Sequence, residues 1–117
     1  MFEIIFYEKE NGRKPAEEFL INSDIKMRAK LTGLLQILQE YGNMLREPYS
    51  KNLGEGIFEV RGKVGSNTAR ILYFFHYNGR IILTNGFVKK TQKAPQKELR
   101  IAQKYRVDYL ERFGEIK

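Results

Sequence analysis

The stretch Thr68-Ala69-Arg70-Ile71-Leu72-Tyr73-Phe74-Phe75-His76-Tyr77-Asn78-Gly79-Arg80-Ile81-Ile82-Leu83-Thr84-Asn85-Gly86-Phe87-Val88 reads as two strands and the turn that joins them. Thr68 to Tyr77 is apolar on both faces apart from Arg70 and His76. That pattern places it inside a sheet, because a strand covered on both sides has no polar alternation to keep. Asn78-Gly79 is a two-residue hairpin turn, since both residue types accept positive φ, and Arg80 to Val88 is the returning strand.

Upstream, Gly56-Ile57-Phe58-Glu59-Val60-Arg61 alternates, with Phe58 and Val60 on one face and Glu59 and Arg61 on the other. Gly62 to Asn67 is polar and glycine-rich, as a hairpin loop would be. A loop centred near Gly65 sets Arg61 beside Arg70 on neighbouring strands. Two close cations repel unless an anion lies between them; the alternative is that Glu59 pairs with one arginine as an ordinary cross-strand bridge. Leu45 to Leu53, with Pro48, is expected to be a connecting loop that carries Lys51 toward the sheet.

The N-terminal third is expected to hold a strand, Phe2 to Tyr7, and two helices. Asn11-Gly12 turns the chain, Pro15 suits the first helical position of Lys14 to Leu20, and Asn22, Ser23 and Asp24 supply cap residues. A longer helix follows from about Ile25 to Tyr41, with Met27, Leu31, Leu34, Leu35, Leu38 and Tyr41 in one core-facing stripe, stopped by Gly42 and Asn43.

Downstream, Gly86-Phe87-Val88-Lys89-Lys90-Thr91-Gln92-Lys93-Ala94-Pro95 turns an apolar strand into a cationic loop, and Pro95 opens a helix to about Phe113 with Leu99, Ala102, Tyr109, Leu110 and Phe113 on its apolar side. Lysines pinned between a strand end and a helix N-terminus suit an anionic guest, above all phosphate. Lys97, Arg100 and Lys104 either extend that surface or solvate an exposed helix face. The expected fold is α+β, an antiparallel twisted sheet of about four strands packed with two N-terminal helices and one C-terminal helix.

Composition narrows the guest. The 117 residues are expected to form a single domain spanning the whole chain. Net charge is +7, which favours an acidic partner, and it is unevenly placed. Met1 to Asp24 carries 3 basic and 6 acidic residues, a balance of −3, whereas Gly86 to Arg106 carries 7 basic residues against Glu98, a balance of +6. No stretch has the length and apolarity of a membrane span or a signal core, so a cytoplasmic protein without membrane attachment is expected. Without cysteine there is no disulfide, thiolate metal site or Cys nucleophile. The Glu8/Glu10 and Glu17/Glu18 pairs lie on a turn and a helix start, where exposed charge is ordinary, and neither metal nor cofactor is expected.

Three blocks in order, Gly56-Ile57-Phe58-Glu59-Val60-Arg61, Ala69-Arg70-Ile71-Leu72-Tyr73-Phe74 and Gly86 to Pro95, resemble the HigB-type, phage-related branch of the RelE/ParE toxin superfamily. With the flanking helices, the resemblance covers nearly the whole chain. It implies a RelE-like fold and the toxin of a type II toxin–antitoxin pair. The implied activity is ribosome-dependent mRNA cleavage, which inhibits translation and arrests growth. The implied partners are the ribosome, mRNA and a cognate antitoxin, a helix-turn-helix protein like HigA, with operator DNA reached only through the toxin–antitoxin complex.

Metal-free RNA cleavage uses the 2′-OH as nucleophile and needs a proton acceptor, a stabiliser of charge on phosphorus and a proton donor for the leaving oxygen. Arg70 matches the arginine of the family's central strand and suits phosphoryl oxygens. Arg61 falls where RelE has a strand lysine, and it binds phosphate but stays protonated. Lys90 lies near the family's basic residue after the last-strand glycine; it or Lys93 contacts phosphate or protonates the leaving group. Glu59 is the candidate base, or else it orients the arginines. The catalytic set is therefore Glu59, Arg61, Arg70 and Lys90, with Lys51, Lys89, Lys93 and Lys97 on phosphate. His76 sits among aromatics and reads as a packed strand-end residue, while Tyr105 and Tyr109 either stack a base or complete the core. Two other readings stand beside the nuclease: a non-enzymatic ParE-like toxin that binds DNA gyrase, and a plain nucleic-acid-binding module with steep salt dependence.

Overall fold

The computed structural model describes residues 1–89 and 95–114. The elements in chain order are β1 (Glu3–Phe6), α1 (Pro15–Asn22), α2 (Ile25–Tyr41), β2 (Ser50–Gly54), β3 (Ile57–Val64), β4 (Asn67–His76), β5 (Arg80–Lys89) and α3 (Gln96–Phe113). The fold is α+β, compatible with the RelE-like architecture, but the sheet has five strands in the order β1-β5-β4-β3-β2. It is also not wholly antiparallel, because β1 runs parallel to β5. The fifth strand is β2, in the segment expected to be loop: Lys51 pairs with Glu59 and Asn52 with Phe58, so the open edge of β3 recruits a sequence with little strand propensity of its own.

Local chemistry explains most boundaries. The Asp24 side chain accepts a hydrogen bond from the Met27 N–H at 2.8 Å and caps α2. Asn78 and Gly79 take φ of 59° and 69°, which makes the β4–β5 turn type I′. The β3–β4 loop is shorter than expected, since Val64 pairs with Asn67 and β3 continues through Gly62 and Lys63. Gly62 lies under α2, where an added Cβ would stand 3.0 Å from a Leu31 methyl. It is a strand residue chosen for close packing rather than a turn residue.

The sheet has two covered sides. On one, Leu31, Leu34, Leu35 and Leu38 of α2 pack on Val60, Ala69, Ile71, Tyr73, Ile81 and Leu83. On the other, Ala102 and Tyr109 of α3 pack on Ile57, Leu72, Phe74 and Ile82. Two residues expected in the core lie outside it: Tyr41 and Phe113 end their helices 51% and 57% exposed. His76 is buried with Nε2 2.8 Å from the Gly114 carbonyl, and Tyr105 stacks on Tyr7 at 4.5 Å, so both serve packing. No helix among the described residues is long and apolar enough to cross a membrane.

A bulge in β5 decides which residues share a side. Leu72 pairs with Asn85 and Tyr73 with Leu83, leaving Thr84 as an extra residue whose hydroxyl donates to the Leu72 carbonyl at 3.1 Å. Beyond it the alternation of β5 is inverted. Phe87 and Lys89 therefore fall on the α3 side, in line with Arg70.

Candidate nucleic-acid interface and active site

Register assembles the polar residues in three cross-strand rows on the α3 side. The first is Lys51, Glu59, Leu72 and Asn85; the second is Arg61, Arg70 and Phe87; the third is Lys63, Thr68 and Lys89. The helix stops short of the last two. Its first turn is tied to Asn85, whose Nδ2 donates to the Glu98 carbonyl at 3.2 Å and to the Glu98 carboxylate at 3.0 Å. Its far end reaches His76. The positive end of the helix dipole thus points toward the rows that carry most of the charge.

Glu59 is the centre of the cluster and is fully buried. Arg70 Nη1 donates to Glu59 Oε2, and Arg61 Nε lies 3.7 Å from the same oxygen. Arg61 also donates through Nη2 to Glu47 Oε1 at 3.1 Å. Glu59 Oε1 and the Nε atoms of both arginines are buried without a hydrogen-bond partner among the described residues. One carboxylate is thus shared between two cations that sit directly opposite each other across the strands.

Exposure grades the cluster. Arg70 is 6% exposed and Lys89 7%, whereas the Arg61 side chain is 27% exposed and Lys51 and Lys63 are open. Burial is the main cause that lowers the pKa of Arg70, with Glu59 opposing it. Burial also lowers the pKa of Lys89, and Arg70, Lys51 and Arg61 add to the effect while Glu59 opposes it. That mutual influence places Lys89 and Lys51 in the same field as the two arginines.

The structure therefore brings together Glu59, Arg61, Arg70, Lys89 and Lys51. Lys97 stands exposed on the first turn of α3, and no described contact ties it to the others. Lys90 and Lys93 lie outside the described residues. Sequence reading missed Lys63, which shares the parity of Glu59 and Arg61 and becomes visible once β3 is carried past Gly62. It also missed Glu47, which no periodicity could link to Arg61 from across a loop. Among the described residues no group of three or more His, Cys, Asp or Glu side chains could hold a metal ion.

A family profile for phage-derived Gp49-like proteins (DUF891) matches residues 18–107, from α1 into α3. The chain belongs to the Gp49-like family. The matched span includes every row of the cluster. Gp49-like proteins are a toxin-like family related to RelE and HigB toxins, which gives the chain a toxin role in general terms and implies a cognate antitoxin. No curated protein matches the chain.

Proposed function

We propose that this Gp49-like chain is a single-domain toxin of the HigB branch of type II toxin–antitoxin systems, an endoribonuclease that cuts mRNA on the ribosome without a metal ion. The observation that carries the reading is the direct pairing of Arg61 with Arg70 across β3 and β4, with Glu59 buried between them and Lys51, Lys63 and Lys89 in adjoining rows. Like charges opposite one another in a sheet are destabilising, so such a surface is best accounted for by an anion that it binds. A phosphodiester is the anion that fits a guanidinium pair.

In the reaction the 2′-OH passes its proton to water and attacks the adjacent phosphorus. The bond to the 5′ oxygen breaks, leaving a 2′,3′-cyclic phosphate and a 5′-OH. Arg61, the more open arginine, anchors a non-bridging oxygen, and Arg70 opposes the charge that builds on phosphorus in a site partly withdrawn from water. Lys89 is the described lysine best suited to protonate the leaving 5′ oxygen, because burial and its cationic neighbours lower its pKa from the ordinary lysine value. Lys90 and Lys93 follow it in the chain and, with Lys51 and Lys97, hold flanking phosphates. Complete burial of Glu59 supports a positioning role, fixing the two arginines, over the role of base.

The ribosome supplies a held mRNA, which a cluster with few acid–base groups needs for rate. The partners are then the ribosome, mRNA and a helix-turn-helix antitoxin that carries the complex to operator DNA, all in the cytoplasm. Primer extension on an mRNA in a translating extract tests the reading: discrete in-frame cuts are expected from wild type and none from Arg70→Ala. Growth arrest on expression with no cuts would assign the toxicity to another target, such as gyrase.

A further inference from the structure

A pocket of about 410 Å³ opens on the opposite side of the sheet, between the C-terminal end of α2 and β2. Its floor is aromatic. Phe58 and Tyr73 stack at 5.6 Å, and Phe75 stands edge-on to both at 5.3 and 5.7 Å. Tyr73 is buried, its hydroxyl 2.5 Å from that of Ser50, whereas Phe58 and Phe75 are only part-buried. Asn43, Arg46, Glu47, Lys51 and Asn52 make the rim. Arg46 is steadied there by donating through Nη1 to the Asn43 carbonyl at 2.8 Å.

An aromatic floor under amide and guanidinium groups is the chemistry that recognises an unstacked nucleobase: ring against ring, with donors and acceptors at the edge. A purely aliphatic guest would leave the rim groups without partners. The volume lies in the range of small-molecule sites, about 300–1,000 Å³, and admits a base with its ribose. Two rim residues also belong to the cationic side. Lys51 pairs with Glu59 across β2 and β3, and Glu47 accepts from Arg61. Because β2 is the edge strand, a single strand of RNA can turn round it from one side to the other.

We propose that this pocket is a nucleobase subsite, taking one base of the RNA strand whose phosphate lies on Arg61, Arg70 and Lys89. The source of the base rests on the nuclease reading above, while the pocket chemistry would equally take the base of a free nucleotide, and the test separates the two. Ribosomes are programmed with 2′-O-methylated mRNA carrying 4-thiouridine at each A-site position in turn, and irradiated with the protein. In parallel, each of the four nucleoside monophosphates is titrated and followed by NMR.

A crosslink on the peptides containing Phe58 or Phe75 is expected. It should be weakened about tenfold by Phe75→Leu or by the surface variant Arg46→Ala, as loss of one stacked base requires. Nucleotide binding that is lost in the same variants, without such a crosslink, keeps the subsite and assigns it to a free nucleotide. Crosslinks confined to the Arg61–Lys89 side, with no nucleotide binding, overturn the subsite and leave the nuclease intact. No crosslink and no nucleotide binding overturn both.

Discussion

On the side of α1 and α2, Val60, Ala69, Ile71, Tyr73, Ile81 and Leu83 meet the leucines of α2 in an apolar cluster without a charged member, where the Tyr73 hydroxyl is partnered by Ser50. On the side of α3, the same strands offer Ile57, Leu72, Phe74 and Ile82 to the helix and then continue into Glu59, Arg61, Arg70 and Lys89. The first arrangement is supported by area removed from water, at roughly 25 cal/mol per Å². The second places charges where desolvation costs several kcal/mol per ion and recovers it only through good pairing. One side of a sheet can thus hold a fold firmly enough for the other to carry a cluster that stability alone would not select.

The largest expected effect comes from unbalancing the charged side. Glu59→Ala leaves two guanidinium groups facing each other and should cost about 4 kcal/mol in urea unfolding. Leu38→Ala on the apolar side should cost about 3 kcal/mol while leaving any RNA cleavage per folded molecule unchanged. Replacing the pair together, Glu59→Leu with Arg70→Leu, makes the second side resemble the first. Stability should return to within about 1 kcal/mol of wild type or exceed it, and cleavage should be abolished. A double variant as unstable as Glu59→Ala would mean that the pair stabilises the fold, and the contrast between the sides would fail.

The smallest effect is a pH dependence. The pKa of Lys89 is lower in the folded protein than its ordinary 10.5, so between the two values the unfolded chain binds more protons. Stability from this residue should therefore rise with pH through that window and be least below the folded value. Denaturation curves of wild type and Lys89→Met, taken at several pH values, should converge as the pH approaches 10.5.

Much of the charged side was legible in the sequence. Turn chemistry near Gly65 and at Asn78-Gly79 sets the register of three strands, and register alone puts Arg61 opposite Arg70. Three features were not legible. β2 exists because β3 had an edge to fill, and Tyr49-Ser50-Lys51-Asn52 carries no β-branched run to announce it. The direction of β1 beside β5 depends on where α1 and α2 deliver the chain, which alternation within four residues does not encode. Gly62 was mistaken for a turn because the helix that requires its bare backbone lies about thirty residues away in sequence.

The extra residue at Thr84 works as a frameshift written in space. Upstream of it, the odd-numbered residues Ile81 and Leu83 face α2; downstream, the odd-numbered Phe87 and Lys89 face the other way, with Arg70. Pairing the strand with no residue left over, Thr84 opposite Leu72, would rephase its tail, setting Gly86 opposite Arg70, Val88 in the row of Thr68 and Lys89 toward the leucines, without altering any side chain of the cluster. Among Gp49-like chains, one with a one-residue gap at this position would therefore keep the cationic surface without a bulge, whereas one that keeps the residue but pairs it regularly would have only the surface's residues.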